Sequence, residues 1–341
     1  GARRPEVVLQ KPAGLDLRVV NQRVANADHV VGRSPRVKGI GAGERVGAVA
    51  VTLSGALGSL ALLASGSYTY TVDNSAVQLL GASAAEVDTF TVSSADGTTQ
   101  NLSFTVYGAN DAAVIGDPTL ATVGEDADVN LDGNLVLTDT LSITDADTGE
   151  DSFSTAVSAV GTTLGSLILN TNGVYTYSVA NDDVQYLGGG ETATDTFTVT
   201  AADGTTKEVS FAIAGANDTP TLAASLITAD FFDGAAKDVF APVTGALTTT
   251  DADHNATHTY GIAGGGTDTS LLGYDSSLAG AYGTLYLNSA SGNYTYVPNS
   301  DAINTMPVGS TDMDQFSLTV DDHAGGTASQ TLAINLYGAN D

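Results

Sequence analysis

Residues 165–218 carry three apolar-alternating pieces in a fixed order: GSLILNTNGVYTYSV (165–179), DTFTVTAADGTT (195–206) and VSFAIAGAND (209–218). The same pieces precede them as GSLALLASGSYTYTV (58–72), DTFTVSSADGTT (88–99) and LSFTVYGAND (102–111). They follow again as GTLYLNSASGNYTYV (283–297), DQFSLTVDDHAGGT (314–327) and LAINLYGAND (332–341). Each copy closes on Gly-Ala-Asn-Asp, at Gly108–Asp111, Gly215–Asp218 and Gly338–Asp341, so the chain is an internal repeat with spacings of 107 and 123 residues. Tyr68, Tyr70 and Val72 alternate with Thr69 and Thr71. Phe90 and Val92 alternate likewise, as do Leu102, Phe104 and Val106. A period of two marks strands with one buried face. The Ala-Asp-Gly at 95–97 and 202–204 predicts hairpin turns in which glycine takes positive φ. Short strands, closely spaced turn signals and a repeat near one hundred residues predict an all-β chain of tandem immunoglobulin-like or cadherin-like β-sandwiches.

Three repeats follow from this reading: 1–111, 112–218 and 219–341. The third is the longest, and its extra residues fall mainly in 264–283, with a few more in 299–327. Insertions of this kind are expected in loops. The front of the first repeat is divergent. Residues 1–46 hold nine of the eleven basic residues and lack the Asp-Ala-Asp of the other copies. From residue 47 onward two basic residues face 35 acids. The segment reads either as a basic arm that pairs with an acidic neighbour or as a divergent repeat whose sequence is in doubt.

A formal charge of −28 over 341 residues repels polyphosphate and anionic lipid, which sets aside nucleic acid and membrane insertion as partners. No apolar stretch is long enough to span a bilayer. The chain has no cysteine, so disulfides, Cys-zinc sites and thiol catalysis are excluded. Gly1-Ala2-Arg3-Arg4-Pro5 lacks an apolar signal core and an initiator Met, and the chain reads as a fragment. His29, His254, His258 and His323 share no motif, and no nucleophile elbow or phosphate loop is present. Acids that recur in every copy suit structure better than catalysis, so the chain is expected not to be an enzyme.

What so acidic a chain attracts is cations. Asp145 and Asp147 lie in DADTGED together with Glu150 and Asp151, and Asp251 and Asp253 hold the matching place in DADH. In extended backbone, Asp-x-Asp sets two carboxylates on one side about 6–7 Å apart. Such a pair brackets a hard ion, and Ca²⁺ takes six to eight oxygens at roughly 2.3–2.6 Å. Asn110-Asp111 and Asn217-Asp218 stand at the repeat junctions, where they are expected to meet an ion together with Glu125 and Asp126 of the next repeat. Asp96-Gly97 and Asp203-Gly204 read as plain turns, and Asp88, Asp195 and Asp314 as hydrogen-bonded turn ends rather than ligands.

The pieces Glu125-Asp126, Thr144-Asp145-Ala146-Asp147, Tyr175-Thr176-Tyr177, Val184-Gln185-Tyr186-Leu187-Gly188, Asp195–Val199, Asp203-Gly204 and Gly215–Pro220 resemble the VCBS repeat of large bacterial surface proteins. The second copy carries the whole pattern. The third fits at both ends, and the first from about residue 57. The resemblance implies a cadherin-like or immunoglobulin-like sandwich in an exported, calcium-dependent adhesin of the cell surface or biofilm matrix. Its ligands would be Asp145, Asp147, Asn217 and Asp218, with Asp251 and Asp253. Three functions are open on this reading: a stalk of adjacent repeats stiffened by Ca²⁺, a homopolymeric filament built by strand exchange, and a module gripping a surface glycan or protein through 264–283 with Tyr274 and Tyr282.

Overall fold

The computed structural model describes residues 7–9, 51–63, 66–93, 98–236 and 238–339. Most of the basic segment 1–46, His29 and the turn at Asp96-Gly97 lie outside the described residues.

The alternating stretches form strands that pair into facing sheets. Around residues 113–213, one sheet orders Ser166–Leu169, Val174–Ala180 and Asn134–Thr140. The other orders Ser158–Ala159, Thr192–Thr200, Thr206–Ala214 and Thr122–Gly124. Tyr175, Tyr177 and Val179 point between the sheets and are buried, while Thr176 and Ser178 face outward. That alternation is the physical content of the period-two pattern. Tyr177 stacks on Phe211 at 4.7 Å between centroids, with the rings 4° from parallel. Tyr70 and Phe104 repeat the stack at 4.4 Å in the earlier copy. Three separate cores result, one drawn from Leu60–Val106, one from Ala113–Ile213 and one from Phe231–Leu336.

One connection matters for function. In the last copy Thr221–Ala224 pairs antiparallel with Val243–Thr250, and the chain then crosses to the opposite sheet. There Thr228–Phe232 runs parallel to Thr327–Tyr337. The middle copy does the same: Val114–Ile115 pairs with Ile143–Thr144, and Thr122–Gly124 then runs parallel to Thr206–Ala214. The opening strand therefore travels the length of the sandwich and ends beside the copy's own last strand.

The insertion 264–283 departs from the expectation of a loop. Gly266–Thr267 and Ser276–Ala279 form a hairpin that extends the sheet of Gly283–Leu287 to six strands. Asp275 fixes the hairpin, because its carboxylate accepts from the Ser289 N–H at 2.9 Å and the Ser289 hydroxyl at 2.8 Å. Tyr282 packs against the core, and its hydroxyl donates to Asp312 at 2.8 Å.

Asp88, Asp195 and Asp314 are not turn ends themselves: each is the fourth residue of a strand (Ala85–Ser93, Thr192–Thr200 and Thr311–Asp321), is deeply buried, and accepts from a turn of the facing sheet. Asp195 is 2% exposed and accepts from the Leu164 N–H (2.9 Å), the Gly165 N–H (2.6 Å) and the Tyr177 hydroxyl (2.7 Å). Asp88 takes Ala56, Leu57 and Tyr70 in the same way, and Asp314 takes Ala281, Tyr282 and Tyr296. Each carboxylate nails the turn before one strand to the tyrosine of the next. Burial, then the bond to the carboxylate, raises the pKa of all three tyrosines.

Candidate cation sites at the repeat junctions

The Gly-Ala-Asn-Asp marker owes its glycine to crowding. A Cβ on Gly215 would collide with the Leu187 carbonyl, and one on Gly108 with the Leu80 carbonyl. Only glycine lets the last strand leave the sandwich this close to the facing segment.

Beyond the glycine, the two junctions are built alike. The Asp111 N–H donates to Asp147 Oδ2 at 2.7 Å, and the Asp218 N–H to Asp253 Oδ2 at 3.0 Å. Asp145 Oδ1 accepts from the Asp147 N–H, and Asp251 Oδ1 from the Asp253 N–H, so each Asp-x-Asp folds into an Asx-turn. The Asn110 amide donates to its own junction at the Asp111 carbonyl and to Asp203 Oδ2 at 3.3 Å. Asn217 repeats this with the Asp218 carbonyl and with Asp322 Oδ2 at 2.9 Å. Backbone bonds also cross between copies, from the Thr148 N–H to the Leu79 carbonyl and from the His254 N–H to the Tyr186 carbonyl, both at 3.1 Å.

Glu125 and Asp126 belong elsewhere than the sequence suggested. They do not meet Asn110-Asp111. The parallel strand Thr122–Gly124 carries them to the far end of their own sandwich, where Glu125 Oε2 accepts from the Ala216 N–H at 2.9 Å. Gln185 Nε2 donates to Glu125 Oε1 and Asp126 Oδ1, both at 3.0 Å. Asn181 holds Asp126 from both sides, although Asp126 sits at φ 56°, a region costly for a side chain with Cβ. Glu125 and Asp126 thus join Asn217, Asp218, Asp251 and Asp253. Glu150 stays with the first junction and lies against Gly81 of the preceding copy. Asp151, beside Glu150 in the chain, is exposed.

Three further residues were not read as site members. Asp203 does form the expected turn, accepting from the Thr205 N–H at 2.8 Å, but it also accepts from the Ala113 N–H and the Asn110 amide across the junction. Asp322 plays that part at the second junction. Glu191 accepts from the Gly188 N–H and lies 3.1 Å from His254 Nδ1. For Asp203 and Asp322 the available signal was the recurrence of Asp at one place in all three copies, at Asp96, Asp203 and Asp322. His258 Nε2 lies 3.1 Å from Asp251 Oδ2, so the second junction holds imidazoles where the first has none.

The electrostatics reveal the clustering. Burial, then the charges of Asp218, Asp126 and Asp253, pushes the Glu125 carboxyl up against the opposing pull of the Ala216 N–H. Burial, then Asp126, Asp253 and Asp251, raises Asp218. Burial, then Asp147, Asp145 and Asp203, raises Glu150. Asp203 is lowered despite its burial, by donors from Thr205, Ala113 and Asn110.

Four buried carboxylate oxygens at the two junctions have no hydrogen-bond partner: Asp145 Oδ2, Asp147 Oδ1, Asp218 Oδ2 and Asp253 Oδ1. An orphaned buried oxygen costs about 1–3 kcal/mol, and more when charged. Among the described residues no three His, Asp or Glu side chains close around one point in ion-holding geometry. The donors do fit a hard cation in kind, being carboxylate, amide and carbonyl oxygens.

Residues 110–215 match the bacterial cadherin-like domain family. The sandwiches and this match agree: the described residues are nearly all β, built as tandem cadherin-like β-sandwiches. Among solved structures, the chain is similar to a protocadherin gammaB7 EC3-6 cis-dimer structure, at 12% identity and a TM-score of 0.46, over 92% of this chain and 70% of that one. The protocadherin GammaB4 extracellular domain aligns at 15% identity and a TM-score of 0.40, over 86% of this chain and 42% of that one. Drosophila N-cadherin EC1-4 aligns at 12% identity and a TM-score of 0.30, over 91% and 70%. No curated protein matches the chain. Among the described residues no helix is long and apolar enough to cross a membrane.

Proposed function

We propose that this chain is a segment of an extracellular bacterial adhesin stalk in which Ca²⁺ at the acidic junctions locks neighbouring sandwiches in line. The observation that carries this reading is the orphaned oxygen of the second Asp in each Asp-x-Asp, Asp147 Oδ1 and Asp253 Oδ1, at equivalent places in two junctions. A buried charge repeated without a partner is tolerated where a cation completes it. Asn110, Asp111, Asp145, Asp147, Glu150 and Asp203 would hold the ion at the first junction. Glu125, Asp126, Asn217, Asp218, Asp251, Asp253 and Asp322 would hold it at the second. A bound Ca²⁺ would supply positive charge that offsets the burial and the mutual repulsion raising Glu125, Asp218 and Glu150. The chain's own part is to bring carboxylates from two sandwiches to one place. An ion held from both sides then removes the freedom of the connection between them.

Small-angle X-ray scattering with calcium and with chelator tests the reading. The maximum dimension should fall and the profile broaden on chelation, and Asp147→Asn with Asp253→Asn should mimic chelation. A profile indifferent to calcium refutes the stalk mechanism.

A further inference from the structure

The outer face of the last sandwich carries a side-chain arrangement that the middle sandwich lacks. Two rows of equivalent positions make the comparison. In the middle copy, Gly124, Ala214 and Thr192 lie side by side across three strands, and Thr122, Ala212 and Thr194 form the next row. In the last copy the same two rows read Phe232, Tyr337 and Thr311, then Asp230, Asn335 and Met313. Small residues have been replaced by two aromatic rings, a thioether, a carboxylate and an amide on an otherwise equivalent scaffold.

These side chains are not needed by the core. Phe232 is 66% exposed and Met313 54% exposed. The rings of Phe232 and Tyr337 stack at 4.5 Å between centroids and 8° from parallel, so each fixes the other upright on the sheet. One row away, Asn335 Nδ2 donates to Asp230 Oδ1 at 2.8 Å. That bond orients both groups and leaves a carboxylate oxygen, an amide oxygen and one amide N–H free to bond outward. The two rows are about 7 Å apart along the strand.

We infer that this face is a binding site for a neutral saccharide, with a pyranose ring laid on Phe232 and its vicinal hydroxyls read by Asp230 and Asn335. A sugar ring presents an apolar C–H face and a rim of groups that donate and accept, and the two rows offer the complement of each. Charge narrows the occupant. With −28 on the chain, sulfated or phosphorylated polymers are repelled, and a second copy would bring equal charge to a face already bearing Asp230. The site lies within one sandwich, so it does not depend on cation at the junctions. It differs in place from the inserted hairpin 264–283, whose Tyr282 is committed to Asp312 and the core.

The test uses the full chain against immobilised cello-, malto-, manno-, galacto- and chito-oligosaccharides, with heparin as the polyanionic control. Binding of at least one neutral series, unchanged by chelator, is expected. Phe232→Ala should weaken it at least tenfold and Asp230→Ala several-fold, with thermal melting of the last core unchanged in Asp230→Ala. That second variant removes no apolar contact and keeps the test independent of folding. Absence of binding to every neutral series overturns the inference. So does binding that survives both substitutions, a preference for heparin, or a concentration-dependent dimer abolished by Phe232→Ala in sedimentation. Loss of elongation on chelation with saccharide binding intact separates this site from the junction mechanism.

Discussion

Replacing Tyr177 with Phe removes one oxygen and leaves the ring to stack on Phe211. The hydroxyl donates at 2.7 Å to the carboxylate of Asp195, which is 2% exposed. A bond to a charged acceptor contributes about 1.5–3 kcal/mol. Asp195 keeps the Leu164 and Gly165 N–H donors in the variant, so the carboxylate is weakened rather than abandoned. Asp195→Ala instead leaves three donors unmatched, the Tyr177 hydroxyl buried and the Leu164 and Gly165 N–H groups part-buried, at about 1–3 kcal/mol each, or about 3–9 kcal/mol in sum. For a sandwich of this size, 2 kcal/mol lowers the melting temperature by roughly 8–16 °C. Differential scanning calorimetry of the whole chain in calcium is the assay, because the three cores are separate and one transition can move alone. Tyr177→Phe should lower a single transition, and Asp195→Ala should lower the same one further. Tyr70→Phe and Tyr296→Phe should each move a different transition. A Tyr177→Phe protein that melts with the parent would refute the claim that the buried carboxylate pins the turn.

The remaining expectations concern the junctions and turns. Without cation, stability should fall as pH rises from the ordinary carboxylate range to neutrality. Glu125, Asp218 and Glu150 are raised in the folded chain, which therefore retains protons the unfolded chain has lost. The lowered carboxylates, Asp203 and Asp322 among them, lose their contribution only below that range and do not offset the trend. Melting in chelator at pH 5 and pH 7 checks the sign, and calcium should abolish the difference. Asp203→Ala should shorten the calcium-bound particle in scattering, as a loss of Asn110 and Ala113 anchoring, while Asp151→Ala should leave it unchanged. Gly173→Ala should destabilise the middle sandwich by more than 1 kcal/mol in denaturant titration, since φ is 86° and a Cβ would meet the Leu141 carbonyl.

Much of the fold was legible because a half-buried strand writes its burial directly into alternation. Tyr175, Tyr177 and Val179 could only share one face, and three matching copies made chance untenable. Asp88, Asp195 and Asp314 were readable as hydrogen-bonded acids, but not as mid-strand residues that reach a turn of the facing sheet. The insertion was not legible: Ser276–Ala279 has little alternation, and its pairing with Gly283–Leu287 depends on Asp275 reaching Ser289.

The candidate sites divide along the same line. Sequence by itself determined the repeat, the sheet-forming pattern, the excess of acid and the Asp-x-Asp pairs, because these are properties of neighbours along the chain. Only the tertiary structure decided which acids share a junction. Glu125 stands fourteen residues after Asp111 and ninety-two before Asn217, yet it lies with Asn217. The reason is the parallel first strand, which spends those intervening residues crossing the sandwich from one pole to the other. Asp203, Asp322 and Glu191 join for a similar reason, since hairpin ends from distant strands converge at a pole that no local pattern records.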